Sequence, residues 1–181
     1  MLTKSQHNSA RLRAIEMLAD ARIILTEEEK SRIEVADFDL NNLENVGLQL
    51  LVYVNTDRVC AKELVLFPYQ TCPEHKHVDN IKCKGKEETF RVRKGTCYLY
   101  INGTPAKEIK ARMPETTVTH FHEIVLNEGE QYTLMPDTWH WFQAGENGAV
   151  VSEFSTMSTD EFDIFTDKRI ARIPRIADED K

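Results

Sequence analysis

From about Val46 onward the chain is cut into short apolar runs by turn residues, and this pattern sets the strongest limit on its fold. Residues 49–55, 63–67, 89–93, 97–101, 123–126, 131–135 and 148–154 are rich in β-branched and aromatic side chains. Between them stand Lys94-Gly95, Asn102-Gly103, Glu128-Gly129 and the stretch from Gly145 to Gly148, all of which favour turns. Many short strands at such spacing predict an all-β fold, an antiparallel barrel or sandwich. No repeat, low-complexity linker or second domain interrupts them.

The first forty residues read differently. Leu12, Ile15, Ala19 and Ile23 recur at helical spacing and predict one apolar face for packing or dimerisation. Thr26 followed by Glu29 fits a capping box, so a second short helix carrying Ile33 is expected. The expected organisation is one domain: an N-terminal helical segment at 1–45 packed on the barrel, the β-barrel at 46–170, and a tail at 171–181. After Ser158, Phe162, Ile164 and Phe165 are expected to anchor onto the barrel, and Asp178-Glu179-Asp180-Lys181 to be frayed.

Composition narrows the function classes. A chain of 181 residues can bury a core without disulfides, and 41% hydrophobic with 29% charged residues is an ordinary globular balance. A net charge of −7 argues against binding nucleic acid, which needs a basic face. No run approaches the ~20 apolar residues of a membrane span. Lys4, Arg11 and Arg13 are not followed by an apolar core and cleavage site, so no secretory signal is read. The expectation is a cytoplasmic protein with Cys60, Cys72, Cys83 and Cys97 reduced.

The segment Cys72-Pro-Glu-His-Lys-His77 carries the chemistry. His75 and His77 are two apart, so on a strand both imidazoles point to one side and make half a metal site. In the next strand, alternation puts Glu88, Phe90 and Val92 on one face and Glu87, Thr89, Arg91 and Arg93 on the other. The apolar set faces the interior, and Glu88 with it. A carboxylate in an apolar lumen needs a compensating charge, which a metal supplies. Lys86 shares that parity and also points inward. His140, after the proline turn of Met135-Pro-Asp-Thr-Trp-His-Trp-Phe142, is the fourth candidate ligand.

Three histidines and a carboxylate leave two octahedral positions open and suit Mn²⁺, Fe²⁺, Co²⁺ or Zn²⁺. Two rival sets stand beside this one. Cys72, His75, His77 and Cys83 would form a structural zinc site, although their spacing is not a common zinc framework. His120 and His122 form a second HxH pair, without a nearby carboxylate on the same face, and are expected at a surface edge.

The residues resemble the cupin superfamily, whose first motif runs HxH, Glu, six residues, Gly. Here His75-x-His77 is present and Glu88 leads to Gly95 at the right interval, with ten residues between His77 and Glu88 where the motif has three or four. Pro136 and His140 match the second motif loosely, with Thr138 where it has glycine. More specifically, Glu74-His-Lys-His77, Gly85-Lys-Glu-Glu-Thr-Phe-Arg-Val-Arg93, Tyr98-Leu-Tyr100, His140-Trp-Phe-Gln-Ala-Gly145, Val151-Ser-Glu-Phe-Ser155 and Asp163-Ile-Phe-Thr-Asp167 resemble the D-lyxose isomerase family. The resemblance implies a jelly-roll barrel and a Mn²⁺-dependent aldose–ketose isomerase. Its expected substrates are D-lyxose and D-xylulose, commonly with D-mannose and D-fructose, and it is usually a homodimer. It places the metal on His75, His77, Glu88 and His140.

Such a reaction needs a base for a carbon-bound proton, and Glu153 is the candidate, with Lys86 as donor to a developing alkoxide. The two roles are exchangeable at this stage, and the residues of 148–154 leave strand parity open, so a surface Glu153 is the alternative. Asp163 is expected at distal sugar hydroxyls, Trp139, Trp141 and Phe142 as an apolar wall, and Arg172 as a cap on the site. The competing classes are a cupin dioxygenase using Fe²⁺ and a non-enzymatic metal-binding sugar sensor.

Overall fold

The computed structural model describes residues 2–173 and 175–177. In chain order its elements are β1 (Leu2–Thr3), α1 (Lys4–Asp20), α2 (Glu27–Ser31), β2 (Glu34–Ala36), β3 (Leu48–Asn55), β4 (Cys60–Leu66) and β5 (Thr71–Lys76). There follow β6 (Glu88–Ile101), β7 (His122–Asn127), β8 (Gln131–Leu134), β9 (His140–Ser155), a 3-10 turn (Asp160–Phe162), β10 (Ile164–Phe165) and β11 (Ile176–Ala177). Strands β2 to β10 form one curled antiparallel sheet in the order β10-β5-β9-β4-β3-β2, with β6 joined to β7, β8 and β9. The expected all-β fold with N-terminal helices is therefore present. No helix among the described residues is long and apolar enough to cross a membrane.

Two long strands curl this sheet. The turn residues predict a break at Lys94-Gly95 and a last strand that starts at Gly148, but β6 and β9 each run through those glycines. Gly95 and Gly148 take φ of 78° and 76°, and a Cβ on Gly95 would lie 2.1 Å from the Gly148 carbonyl oxygen. Glycine thus allows a bend with close backbone approach where a side chain would end the ladder. Register shifts flank the bend, and pairing of β6 with β9 resumes on both sides.

The ladder sorts the barrel interior into rows. Lys62 pairs with Glu153, which also faces Phe90; two residues further in, Leu64 pairs with Val151, which faces Val92. Polar groups thus occupy the mouth and an apolar cluster including Leu48, Leu50, Leu64, Leu66, Phe90, Val92, Leu99 and Phe142 fills the floor. Each such side chain contributes about 1.5–3 kcal/mol on burial, which offsets the cost of charges held at the rim.

Helix α1 starts at a Thr3–Gln6 capping box and lies on the outer face of the sheet. Its buried residues are Ala10, near Val35 and Phe67, and Ala14 and Leu18, near Leu51, Val65 and Val150, while Leu12 is 59% exposed. The face read from Leu12 and Ala19 is thus displaced. Small side chains let the helix approach the sheet closely, and that criterion outweighs aliphatic size. The Thr26–Glu29 capping box opens α2 as expected, with Ile33 buried just after the helix. Of the three expected anchors Phe165 turns inward, against Phe38 and His75, and Phe162 and Ile164 are exposed. The stretch 178–181 lies outside the described residues.

Candidate active site

Strand ends converge at the barrel mouth. His75 lies near the end of β5, His77 just beyond it, Glu88 opens β6 and His140 opens β9, directly paired with His75. All four are buried, as the alternation argument required of Glu88. Ring nitrogens of His75, His77 and His140 lie within 4.8 Å of one another. Glu88 Oε1 is 3.1 Å from His77 Nε2 and 3.2 Å from His140 Nε2.

Each imidazole is oriented through its other nitrogen. Nδ1 lies 2.8 Å from the Pro73 carbonyl in His75, 2.5 Å from Asp163 Oδ1 in His77, and 3.0 Å from the Thr138 carbonyl in His140. In His75 and His140 donation from Nδ1 leaves Nε2 as the unprotonated, inward-facing atom, which is how ligand histidines are held; His77, between Glu88 and Asp163, would give up its Nε2 proton to a metal. His140 Nε2 is buried and, despite its nearness to Glu88, makes no aligned hydrogen bond. An orphaned imidazole nitrogen beside a carboxylate and two more imidazoles fits a divalent cation. The thiols of the rival zinc set do not join this cluster: Cys72 is buried in the core, and Cys83 contacts Asn80 and Thr159. His120 and His122 are half-buried elsewhere, with His120 against Glu74.

A chain of ions links this corner to Glu153. Lys86 Nζ is 2.8 Å from Glu88 Oε2 and 2.9 Å from Glu153 Oε1, and Ser155 Oγ donates to the same Glu153 oxygen at 3.2 Å. Glu153 lies on a central strand, not an edge, and is 3% exposed, while its neighbour Phe154 faces out. The surface alternative for Glu153 is thereby removed. Beyond it, Lys62 Nζ contacts Asp160 Oδ2 at 2.8 Å and Ser158 Oγ at 2.7 Å, and Arg172 reaches Asp160 and Glu34.

Burial alone would strip these groups of charge, and their partners reverse it. Desolvation pulls Lys86 down, but Glu153 and Glu88 outweigh it and hold the ammonium well above its ordinary pKa. Desolvation raises Glu88, and Lys86 with His77 drives it well below the usual carboxylate range. Asp160 is likewise held low by Lys62, Lys86 and Arg172 against burial. Burial and Lys86 lower His77, but Glu88 and Asp163 push it up to about 9. His75 falls well below its ordinary value through burial and the neighbouring histidines. The cavity wall holds Lys62, Lys86 and Arg172, together with a protonated His77, against Glu88, Glu153, Asp160 and Asp163, so the buried charges balance without a metal and a bound cation would displace the His77 proton.

Of the expected sugar-facing residues, Asp163, Phe142 and Arg172 line the cavity and Trp139 does not. The Trp139 ring instead stacks near His120 with Lys76 above it, because its parity on the approach to β9 directs it outward. Trp141 packs in a separate outer cluster on Tyr100.

Comparison with known proteins decides the family. The D-lyxose isomerase family model matches residues 26–181. A D-lyxose/D-mannose isomerase of Thermosediminibacter oceani is 59% identical over 181 residues, covering 98% of this chain and 100% of the relative. The chain belongs to the D-lyxose isomerase family. D-lyxose ketol-isomerases of a Thermofilum species and of Cohnella laeviribosi are 56% and 54% identical, covering 97% of this chain and 99% and 98% of theirs. The protein is an isomerase. Among solved structures, L-ribose isomerase of Cellulomonas parahominis superposes with a TM-score of 0.73 at 15% identity, over 97% of this chain and 98% of that one. The enzyme of Geodermatophilus obscurus gives 0.68 at 15%, over 89% and 87%. These last two share the fold.

Two charged residues of this family member's cavity escaped the sequence reading. Lys62 sits on β4 with Cys60, Leu64 and Leu66 on the inward face, the same alternation that located Glu88. Starting that strand at Glu63 hid it. Asp160 belongs to a 3-10 turn, where no periodicity reports direction.

Proposed function

We propose that the protein interconverts D-lyxose and D-xylulose, and also D-mannose and D-fructose, by proton transfer through an enediolate with a divalent metal. His75, His77, Glu88 and His140 would hold the metal; Mn²⁺ is the expected ion, and Co²⁺, Zn²⁺ and Fe²⁺ suit the same donors. The bound cation would supply Lewis-acid polarisation of the sugar carbonyl and its neighbouring hydroxyl. The observation that carries the reading is Lys86 bridging Glu88 to Glu153 at 2.8 and 2.9 Å, which sets a base and an acid beside the ligand cluster.

The charge pattern supports one division of labour. Lys86 is held protonated, so it donates, and Glu153 is the base. Glu153 takes the proton from C2 of the open-chain aldose. The released pair forms the C1–C2 double bond, and O1 gains a proton from Lys86. Glu153 then returns its proton to C1 as the O2 proton passes back to Lys86 and the C2 carbonyl forms. In this reading Asp163 orients His77 through Nδ1 rather than gripping a distal hydroxyl. Phe142 forms apolar wall, and Arg172 caps the mouth.

The same reading takes 46–170 as the catalytic barrel, with 1–45 and 171–181 packed on it. It sets the enzyme in the cytoplasm, supported by four free cysteines. A homodimer follows from the family resemblance and is measurable by sedimentation. The deciding experiment is ketose formation from D-lyxose and D-mannose by metal-stripped protein, with and without Mn²⁺, under anaerobic conditions. Conversion only with metal is expected. No conversion by verified metal-loaded protein overturns the assignment, and a requirement for oxygen would move it to the dioxygenase class.

A further inference from the structure

The cavity at the ligand cluster measures only about 30 Å³, room for roughly two waters and far less than a five-carbon sugar occupies. A second space of about 190 Å³ adjoins it on the solvent side. The two share Leu50, Lys62, Asp160 and Arg172 as walls. Asp160 is the partition: Oδ1 is 3.7 Å from Lys86 on the inner side, and Oδ2 takes Lys62 and Arg172 at 2.8 and 3.2 Å. The partition is carried on residues 156–163, clasped by Asn80 to Thr159 at 2.9 Å and by Lys82 to Glu161 at 2.6 Å. Both clasps come from the long loop between His77 and Glu88, where the chain departs from the cupin motif.

The outer space is built for a neutral polyol. Lys62 and Arg172 donate, Glu34 and Asp160 accept, and Asn55 and Ser158 do both, while Leu50 and Val52 supply apolar wall. Glu34, Asp160 and Glu161 against Lys62 and Arg172 leave the lining slightly anionic, which disfavours a phosphorylated sugar. We infer that this space is the distal subsite of the same site, that it receives the far hydroxyl end of the open-chain sugar when Asp160 turns aside, and that it sets the chain length accepted. The inference rests on the isomerase reading for its substrate class, and its test separates the two.

Val52 lines only the outer space and is placed away from every proposed catalytic group. In the holoenzyme, Val52→Phe should lower kcat/KM for D-mannose at least ~10-fold relative to wild type while D-lyxose falls no more than ~3-fold, the scale of one misfit in a pocket. Ile173→Trp, at the exposed rim of the same space, gives the same sign without touching the core, and thermal melting checks that both variants fold. Equal loss for both sugars, or none, overturns the subsite. Binding of D-arabinitol and D-mannitol, five- and six-carbon alditols, is measured in parallel by calorimetry. Selective weakening of D-mannitol in Val52→Phe supports the subsite even if wild type turns over neither sugar, an outcome that would sink the isomerase reading alone. D-mannitol binding unchanged by Val52→Phe overturns the subsite whatever the turnover.

Discussion

Two consecutive residues on β4 are both charged and both buried, yet they live under opposite rules. Lys62 faces into the barrel, pairs across the ladder with Glu153 and is neutralised by Asp160. Glu63 faces out and pairs with Ser152, whose hydroxyl donates to the carboxylate at 2.9 Å. Burial acts on both. It lowers Lys62, but Glu153 and Asp160 reverse it and keep the ammonium charged. On Glu63 burial is only partly offset by Ser152 and Arg93, and the carboxyl rises above its ordinary value. Depth alone does not set charge state; ionic partners do. One face of the sheet has been furnished for chemistry and the other has not.

The comparison is tested hardest on the inner face. Glu153→Gln keeps the shape of the rung and removes the proposed base, so turnover should fall by ~10² or more with the fold and metal binding retained. Unchanged kcat would show that the inner rung is structural, as the outer one is. Lys62→Met should cost several kcal/mol, roughly 6–12 °C in melting temperature, because Asp160 is left with less compensation. Adding Asp160→Asn should restore part of that loss. Strict additivity of the two would mean that the pair is not the unit described.

The smallest effect belongs to the outer face. Glu63 is a carboxyl whose pKa is raised by folding, so its ionisation costs stability as pH climbs from the ordinary glutamate range through the raised value. Glu63→Gln avoids that cost and can still accept from Ser152. Its melting temperature should exceed wild type by about 1–3 °C at neutral pH, with the gain vanishing in acid. A loss at neutral pH would place Glu63 in a functional ion pair and erase the contrast.

What the sequence disclosed followed from periodicity. On β6 a clean alternation of apolar and polar residues fixed the direction of Glu88, and its parity carried two residues back gave that of Lys86. On β9 the run Ala149-Val150-Val151 is buried on both faces, one against α1 and one against the core, so alternation says nothing about Glu153 until the ladder is seen. Gly95 and Gly148 looked like ends because a glycine bend and a turn share one local signature. Asp160 and Asp163 come from non-repetitive backbone, and only tertiary contact shows which way they point.

The continuity of β9 has a further consequence. His140 opens that strand and Glu153 stands near its close, so one strand, bent between Gly145 and Gly148, spaces the proposed ligand corner from the proposed base. A slip of one residue would turn Glu153 outward and bring Phe154 in its place. Under the proposed mechanism, accuracy of folding and accuracy of catalysis are therefore one quantity, and a misregistered molecule should be inert rather than slow.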